Sequence, residues 1–296
     1  MNKTKKKIKV FIAGNSGFLG TYLAKRLKKK FKIYSHGNKI KKKKFINQNL
    51  VNKHETLRLL NKLDPDIVIN SSGYTSVDGC EKYKKKAYKL NVLITKNLAS
   101  YCKQSSKYLI HISTDQVYNK IFSKSENKET DKKISNYYSL TKKLSENEAL
   151  KCNSLILRTN FFGNNFISKS GLANWIINLK KNQTIDVFTN VLFSPLYVES
   201  LAEIIGKILL KKKRGIFNLG SSDSVSKAKF IIKMCKVFKK KVKFNEIIYK
   251  KNYKKLLATR SINMSMDTRK FSKAFKIKLP KIDNEIKKFY EKYKNK

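Results

Sequence analysis

The chain has 296 residues, of which 41% are hydrophobic and 11% aromatic, so it can bury a sizeable core and is not a disordered chain. No apolar run reaches about 18 residues, which argues against membrane insertion. The four Cys are far apart in sequence and only three His accompany them, which excludes the usual zinc spacings. We therefore expect a cytoplasmic protein with reduced thiols and no metal site.

The formal net charge of +48 is the most unusual feature of the composition. On its own it would indicate a nucleic-acid or anionic-membrane partner. The basic residues are nearly all Lys, with only six Arg, and they are spread along the whole chain. Lys, Asn and Ile are abundant while Gly and Pro are scarce, as strong AT bias in a genome would produce. We therefore expect no specific nucleic-acid partner, and a nucleic-acid-binding protein is the alternative that rests on charge alone.

Short apolar segments alternate with segments of helical periodicity through the first half of the chain. In chain order the pattern predicts a strand at 7–13, a glycine turn at 14–20, a helix at 21–30, strands at 31–35 and 44–46, a helix at 54–63, a strand at 66–70, a helix at 83–101, a strand at 108–113, a helix at 135–150 and a strand at 154–159. Beyond about residue 160 the pattern loosens and predicts a helix at 171–180, a turn at 194–195, a helix at 199–210 and a strand at 215–219. The Lys-rich remainder after Ser221 has a mixed pattern.

Strands that alternate with helices indicate βαβ units, and their continuously apolar sequences indicate a parallel sheet covered on both faces. The predicted fold is α/β, a Rossmann-type doubly wound parallel sheet with a smaller C-terminal part. We assign residues 1–160 mainly to a nucleotide-binding domain and 161–296 mainly to a substrate-binding part, with 190–220 returning to the first domain.

A glycine-rich turn follows the first predicted strand and precedes the first helix. The candidate cofactor contacts in this turn are Gly14, Ser16, Gly17, Phe18, Leu19 and Gly20. Glycines permit a tight turn and let backbone N–H groups approach a pyrophosphate at the positive end of the helix. The GxxGxxG spacing differs from the usual GxGxxG fingerprint. Its position between a strand and a helix nevertheless favours a dinucleotide-binding turn over an ordinary βα turn.

The end of the second predicted strand indicates which dinucleotide is bound. A site that prefers NADH usually has a carboxylate there for the ribose 2′-OH. This chain has none, and Ser35, His36 and Lys39 are instead suited to a 2′-phosphate. We therefore predict NADPH in preference to NADH.

Tyr138 and Lys142 are four residues apart on a predicted helix, which places them on one face. A ketone that is reduced by hydride needs a proton at its oxygen, and a neighbouring cation lowers the pKa of a Tyr enough for it to serve as the acid. The spacing is weak evidence in so Lys-rich a chain, because Tyr290 and Lys294 repeat it. The context favours the first pair, since Thr114 ends a predicted strand and can hydrogen-bond a substrate oxygen.

Several further motifs follow one another along the chain. They are NSSGYTSVDGCE (70–81), LNVLITKNLA (90–99), STDQVY (113–118), NYYSLTKKLSE (136–146), LRTNFFG (157–163), FSPLYV (193–198) and GIFNLG (215–220). With the glycine turn they resemble the extended short-chain dehydrogenases/reductases and, within that group, the dTDP-4-dehydrorhamnose reductases, over nearly the whole chain. The sequence departs from that family at Gln116, where the family has Tyr, and at 260–264, where the family's RPxNS loses its Pro and its Ser.

The resemblance implies NADPH-dependent reduction of the 4-keto group of a nucleotide-linked deoxysugar, for the synthesis of cell-surface polysaccharide precursors. It implies that Thr114, Tyr138 and Lys142 are catalytic and that Ser71, Ser72 and Gly73 also line the cofactor. The implied substrate contacts are Thr114, Asp115, Asn160, Ser194, Pro195, Arg260 and Asn263. A homodimer is a further expectation.

Two alternatives share the fold. A sugar-nucleotide epimerase or dehydratase would use the same Tyr and Lys but would retain its NAD(P) between cycles. A non-catalytic NADP-binding regulatory subunit would share many of the motifs. The intact set of Thr114, Tyr138 and Lys142 favours an enzyme over that subunit.

Overall fold

A computed structural model of the chain describes residues 7–37, 45–119, 126–131, 133–166, 171–250, 253 and 256–295. The strands are β1 (Lys9–Ala13), β2 (Lys32–Ser35), β3 (Ile67–Asn70), β4 (Tyr108–Thr114), β5 (Ser154–Thr159), β6 (Phe161–Phe162), β7 (Thr184–Phe188), β8 (Leu192–Phe193), β9 (Leu196–Tyr197), β10 (Gly215–Leu219), β11 (Val225–Ser226), β12 (Lys243–Ile247) and β13 (Asn263–Met264). The helices are α1 (Phe18–Leu27), α2 (Lys53–Leu63), α3 (Val77–Lys82), α4 (Lys84–Tyr88), α5 (Ile94–Gln104), α6 (Tyr137–Ala149), α7 (Leu172–Ile177), α8 (Val198–Ile208), α9 (Lys227–Val237), α10 (Arg269–Phe275) and α11 (Ile282–Lys294).

Six strands form the central sheet in the order β10-β5-β4-β3-β1-β2. β1 pairs in parallel with both β2 and β3, and β3 pairs in parallel with β4. Every residue of β3, β4 and β5 is buried, as expected for parallel strands covered by helices on both faces. The strand order reverses between β1 and β3, which is where open α/β sheets bind their ligands. The predicted doubly wound α/β fold is confirmed.

The long helix predicted at 83–101 is interrupted. Helix α4 ends at Tyr88, a π-helical turn runs from Lys89 to Leu93, and α5 then continues to Gln104. A π-helical turn is a single-turn bulge within an α-helix and is frequent at functional sites. The predicted span is therefore helical but is not one continuous α-helix. The strand predicted at 44–46 falls partly outside the described residues, and its described end makes only an isolated bridge, between Ile46 and His36.

The first of two compact units comprises Met1–Ser113, Thr141–Leu157 and Ala202–Gly215. It contains β1 to β3 and the five helices from α1 to α5. Asn97 of α5 donates from its amide to the main-chain oxygens of Leu50 and Val51, so a buried polar side chain is satisfied by the loop that precedes α2. The cofactor turn predicted from the sequence lies wholly in this unit.

The second unit comprises Thr114–Leu140, Arg158–Leu201 and Ile216–Lys296. It contains three small sheets, whose orders are β11-β8-β13, β12-β7 and β6-β9. Phe162 and Phe193 both pack edge-to-face on Phe230 of α9, with ring centroids 5.0 and 5.2 Å apart, respectively. Helices α9 to α11 lie in the Lys-rich segment after Ser221, whose sequence pattern was mixed.

Among the described helices none is long and apolar enough to cross a membrane. The described residues also contain no group of three or more His, Cys, Asp or Glu that could hold a metal ion. All four cysteines are free thiols.

Candidate active site

The glycine turn joins β1 to α1 in a backbone conformation that side chains would obstruct. Gly14 has φ +77°, and a Cβ on it would lie 2.7 Å from the main chain of Ser72. A Cβ on Gly20 would lie 2.3 Å from the Gly14 oxygen. Gly17 is the N-cap of α1 and provides no side-chain cap. The helix therefore presents backbone N–H groups at its positive end, which suits a pyrophosphate.

The other predicted members of this turn differ in what they expose. Leu19 is buried in the core, so only its backbone is available at the turn. Ser16 and Phe18 are half-buried. Asn15, not singled out from the sequence, is buried, and its side-chain oxygen has no hydrogen-bond partner in the described part of the chain.

The loop after β3, which contains the predicted cofactor residues Ser71 to Gly73, packs against the glycine turn. Ser71 donates from its amide and its hydroxyl to the Ala13 oxygen, at 3.0 and 2.8 Å. Ser72 donates from its hydroxyl to Asn70 Oδ1 at 2.6 Å. The C-terminal ends of β1 and β3 thus bring both predicted cofactor segments together.

Asn91 is a residue of this site that the sequence analysis did not single out. It lies in the π-helical turn, and its Oδ1 accepts from the Tyr74 amide at 2.6 Å. Its Nδ2 donates to Thr141 Oγ1 at 2.9 Å. Asn91 therefore ties the loop after β3 to helix α6. The signal available in the sequence was the family-like segment LNVLITKNLA, which contains it.

His36 lies beneath the glycine turn rather than on its outer side. The ring is buried, and its Nε2 is 2.7 Å from the Gln48 carbonyl oxygen. A carbonyl oxygen only accepts, so Nε2 carries the proton and Nδ1 is left to accept from the Gly14 amide at 3.5 Å. Burial lowers the pKa of His36, which favours this neutral form. His36 thus supports the turn from inside, Ser35 is half-buried, and Lys39 lies outside the described residues.

Lys142 is buried on α6 and its ammonium donates to the Ile112 carbonyl oxygen at 2.7 Å. Burial lowers the pKa of Lys142 to about 8, and the negative charge of Glu146 opposes that shift. Tyr138 is also buried and precedes Lys142 by one helical turn. The helix thus carries both members of the predicted pair on one face.

A buried polar chain lies behind Lys142. Ser145 donates from its hydroxyl to the Lys142 carbonyl oxygen at 2.7 Å and lies 2.9 Å from His111 Nε2. His111 Nε2 is therefore the donor to Ser145, and Nδ1 accepts from the Asn70 amide at 3.3 Å. Burial, followed by the charge of Lys142, lowers the pKa of His111 well below its usual range. His111 consequently adds no positive charge next to Lys142 at neutral pH.

In the second unit, three predicted substrate-side residues lie together. Thr114 donates from its hydroxyl to Asp115 Oδ1 at 3.3 Å, and Asn160 donates from its amide to Asp115 Oδ2 at 2.7 Å. Asp115 is fully buried, and this burial raises its pKa to about 6. The charge of Lys227, a residue that the sequence analysis missed among so many Lys, lowers it in part. The cluster therefore directs the single hydroxyl proton of Thr114 to Asp115, and this proton is the one available to a bound oxygen if the hydroxyl rotates.

Asn136 explains why α6 begins where it does. Its Oδ1 accepts from both the amide and the hydroxyl of Ser139, each at 2.9 Å, which is an N-terminal cap. Its Nδ2 donates to the Thr259 oxygen at 2.8 Å, next to the predicted substrate residue Arg260. Arg260 is half-buried, and its guanidinium donates to the Ala258 oxygen.

The remaining predicted substrate residues serve the packing of the second unit. Ser194 and Pro195 are buried, and Ser194 Oγ accepts from the Met266 amide at 3.2 Å. Asn263 is also buried, and its Oδ1 accepts from the hydroxyl of Ser265 at 2.6 Å. Asn263 lies on β13, which pairs in parallel with β8, and Ser194 directly follows β8.

The sequence was compared with known protein families and proteins. The family described as RmlD substrate binding domain matches residues 8–295. The spore coat polysaccharide biosynthesis protein SpsK of Bacillus subtilis is 28% identical over 222 residues, which cover 72% of this chain and 74% of that protein. The dTDP-4-dehydrorhamnose reductase of Aggregatibacter actinomycetemcomitans is 28% identical over 239 residues, which cover 76% of this chain and 77% of that protein.

The fold was compared with solved structures. A dTDP-4-dehydrorhamnose reductase of Bacillus anthracis in complex with NADP superposes with a TM-score of 0.87 at 22% identity, over 97% of this chain and 99% of that one. A hypothetical dTDP-4-dehydrorhamnose reductase from Sulfolobus tokodaii superposes with a TM-score of 0.80 at 29% identity, over 91% of this chain and 94% of that one.

Proposed function

Because the chain belongs to the RmlD substrate-binding domain family, we propose that it is an NADPH-dependent reductase of the 4-keto group of a nucleotide-linked deoxysugar. The observation that carries this proposal is the buried Lys142 on α6, one helical turn after the buried Tyr138. The named relatives act in polysaccharide biosynthesis or as dTDP-4-dehydrorhamnose reductases, which supports the substrate class. We place the product in the supply of precursors for cell-surface polysaccharide.

The first unit contains the features that a dinucleotide needs. A Cβ at Gly14 or Gly20 would occupy space that the close backbone approach requires. The unpartnered side-chain oxygen of Asn15 is a buried acceptor in the same turn, which a hydroxyl or amide of a bound dinucleotide would satisfy. We propose that the backbone of this turn holds the pyrophosphate, with Ser71, Ser72 and Gly73 beside it. The preference for a 2′-phosphate then rests on Ser35 and Lys39, because His36 is held beneath the turn.

NADPH, when bound, supplies the hydride that adds to the carbonyl carbon. We propose that Tyr138 donates its phenolic proton to the carbonyl oxygen as that oxygen gains the electron pair of the C=O π bond. The ammonium of Lys142 stabilises the tyrosinate that is left, because a neighbouring cation lowers the pKa of a phenol. A proton from solvent then restores Tyr138.

On the substrate side, we propose that the Thr114 hydroxyl turns away from Asp115 when the substrate binds and donates its single proton to the same carbonyl oxygen. Asn160 then still holds Asp115 through its amide. Arg260, the half-buried cation of this segment, would face the nucleotide diphosphate, since a guanidinium binds phosphate oxygens well.

The experiment is NADPH consumption with dTDP-4-keto-6-deoxysugars and with the corresponding UDP-linked sugars. Tyr138→Phe should lower kcat by about 10² to 10⁴ on every active substrate, because it removes the proton donor and keeps the ring. Tyr290→Phe is the matched control, since Tyr290 repeats the spacing to a Lys and packs its ring on Phe238. If Tyr138→Phe and Tyr290→Phe are both as active as wild type, the catalytic assignment is wrong.

We further propose that the protein acts in the cytoplasm as a homodimer without a specific nucleic-acid partner. The four free thiols support a reducing compartment. Sedimentation would measure the oligomeric state. Titration of duplex DNA against salt would measure the contribution of charge, and a sequence-dependent affinity would contradict the proposal.

A further inference from the structure

Glu146 is a fully buried carboxylate one helical turn after Lys142 on α6. Carboxylates are almost never fully buried unless they are paired. Glu146 Oε1 accepts from the Ser113 hydroxyl at 2.7 Å, and Oε2 lies 3.5 Å from the Lys143 ammonium. The side chain is therefore fixed at both oxygens.

Two consecutive residues of β4 hold the two charges of this helix face. The Ile112 carbonyl oxygen accepts from the Lys142 ammonium, and the Ser113 hydroxyl donates to Glu146. A carbonyl oxygen is a dipole and leaves the positive charge of Lys142 unneutralised. Since residues four apart on a helix are neighbours, Glu146 is the carboxylate placed to balance that charge.

Among the described residues of β4 and α6, neither His111 nor Lys143 supplies a negative charge to Lys142. On β4, His111 is neutral, because it donates from Nε2 to Ser145 and accepts at Nδ1. On α6, Tyr138 stands one turn before Lys142, and Lys143 is a further cation that contacts Glu146. Burial works against a charged Lys142, and the charge of Glu146 works for it.

We propose that Glu146 is a positioning residue that keeps Lys142 cationic in its buried place, through a charge that the hydrogen bond from Ser113 holds next to it. The proposal rests on the proposed function for the use of that charge, at Tyr138 and at the cofactor ribose. The ionisation of Lys142 itself does not depend on the sugar. A carboxylate that only stabilised the fold would affect the free energy of unfolding and leave the ionisation of Lys142 unchanged.

The test is the dissociation constant of NADPH, measured by its fluorescence from pH 6 to pH 10, for wild type and for Glu146→Gln. Wild type should lose affinity as the pH rises and Lys142 loses its proton. In Glu146→Gln this loss should begin about one pH unit lower, since removing a neighbouring opposite charge lowers the pKa of a Lys. Glu146→Asp keeps the negative charge, so its loss of NADPH affinity should begin close to the pH at which the wild type loses affinity.

Lys143→Ala is the matched control on the same carboxylate. It removes a positive charge and leaves Glu146 in place, so the loss of affinity should stay where it is or move to higher pH. In Lys142→Met the loss of NADPH affinity at alkaline pH should disappear. Adding Glu146→Gln to this variant should not change the pH dependence of NADPH affinity any further. If Glu146→Gln does not fold, the paired variant Ser113→Ala/Glu146→Met removes both hydrogen-bond partners, which can be nearly neutral for stability, and must show the same shift.

The proposal is overturned if wild type shows no alkaline loss, or if folded Glu146→Gln loses affinity at the same pH as wild type. Because the measurement needs no sugar, its outcome is separate from that of the proposed function. A shift without NADPH consumption on any sugar would support Glu146 and refute the reductase. Sugar-dependent NADPH consumption with no pH shift in Glu146→Gln would support the reductase and refute the role of Glu146.

Discussion

The two compact units differ in how each builds its own candidate site residues. In the first unit, the glycine turn and the loop after β3 are short segments whose backbone approaches so closely that Gly14 and Gly20 have no room for a side chain. In the second unit, Thr114, Asp115 and Asn160 form a cluster of side chains that come from different parts of the chain. A backbone site depends on a local sequence signal, whereas a side-chain cluster depends on tertiary packing.

The largest effect expected in the first unit comes from Gly20→Ala. The new Cβ would lie 2.3 Å from the Gly14 oxygen, so the turn must shift, at a cost of about 1–3 kcal/mol, and NADPH affinity should fall sharply. Gly206→Ala is the matched helical control, because its Cβ would make only ordinary contacts, the nearest at 3.5 Å to Leu27. It should be neutral or stabilise by about 0.5–1 kcal/mol. NADPH titration and thermal unfolding of both variants would check this, and equal NADPH affinities would refute the account of the turn.

A comparable change in the second unit is Asp115→Asn. It removes the carboxylate that accepts from Thr114 and Asn160, so kcat/KM for the sugar should fall by an amount equivalent to about 1–3 kcal/mol. The dissociation constant of NADPH should not change, because the glycine turn is untouched. Steady-state kinetics and NADPH titration on one preparation would test the separation. An equal loss in both measurements would show that the two parts are not independent.

The two units should also respond to acid in opposite ways. Burial lowers the pKa of His36 and of His111, so below about pH 6.5 the unfolded chain binds protons that the folded chain does not. Stability contributed by these two neutral histidines is therefore lost as the pH falls. Burial raises the pKa of Asp115 to about 6, so Asp115 has the opposite effect between about pH 4 and pH 6.

Between pH 7.5 and pH 6 the histidine effect should dominate, and the free energy of unfolding should fall by on the order of 1 kcal/mol. Urea unfolding at the two pH values would measure it. His36→Gln should flatten the dependence, while a substitution of the exposed His54 should leave it unchanged. A free energy that rises towards acid in this range would contradict the assignment of neutral histidines.

The smallest expected effect is at the start of α6. Asn136→Ala removes the cap on Ser139 and should destabilise the protein by about 1 kcal/mol. Because α6 carries Tyr138, kcat should fall more than NADPH affinity does. Urea unfolding and steady-state kinetics would check both, and an unchanged free energy of unfolding would contradict the capping role.

The sequence allowed the fold to be predicted where local pattern decides it. The apolar runs of β3, β4 and β5 are buried on both faces, and such runs are recognisable without a structure. The glycine turn was equally visible, because its spacing is local. The mixed pattern after Ser221 hid α9, α10 and α11, since Lys residues interrupt their apolar faces.

Other features could not be found in the sequence for physical reasons. A Glu in an amphipathic helix is usually exposed to solvent. Only the tertiary structure shows that Glu146 is buried against Ser113. Asn91 hydrogen-bonds Tyr74 and Thr141, and contacts between residues so far apart in the chain are set by tertiary packing. His36 has the right residue type for a phosphate contact, yet its ring is directed inwards to Gln48. The proposed roles of the site residues, and the division at residue 160, remain predictions.

The most direct test of the central claim is a transfer experiment with NADPH that carries deuterium in its transferable position. A single turnover on the active 4-keto sugar nucleotide should place one deuterium on C4 of the sugar and release one NADP⁺ for each product formed. Mass spectrometry of the product measures the label, and absorbance measures the released cofactor. A product without deuterium, or a cofactor that stays bound and is reduced again, would contradict the reductase and indicate an epimerase or dehydratase.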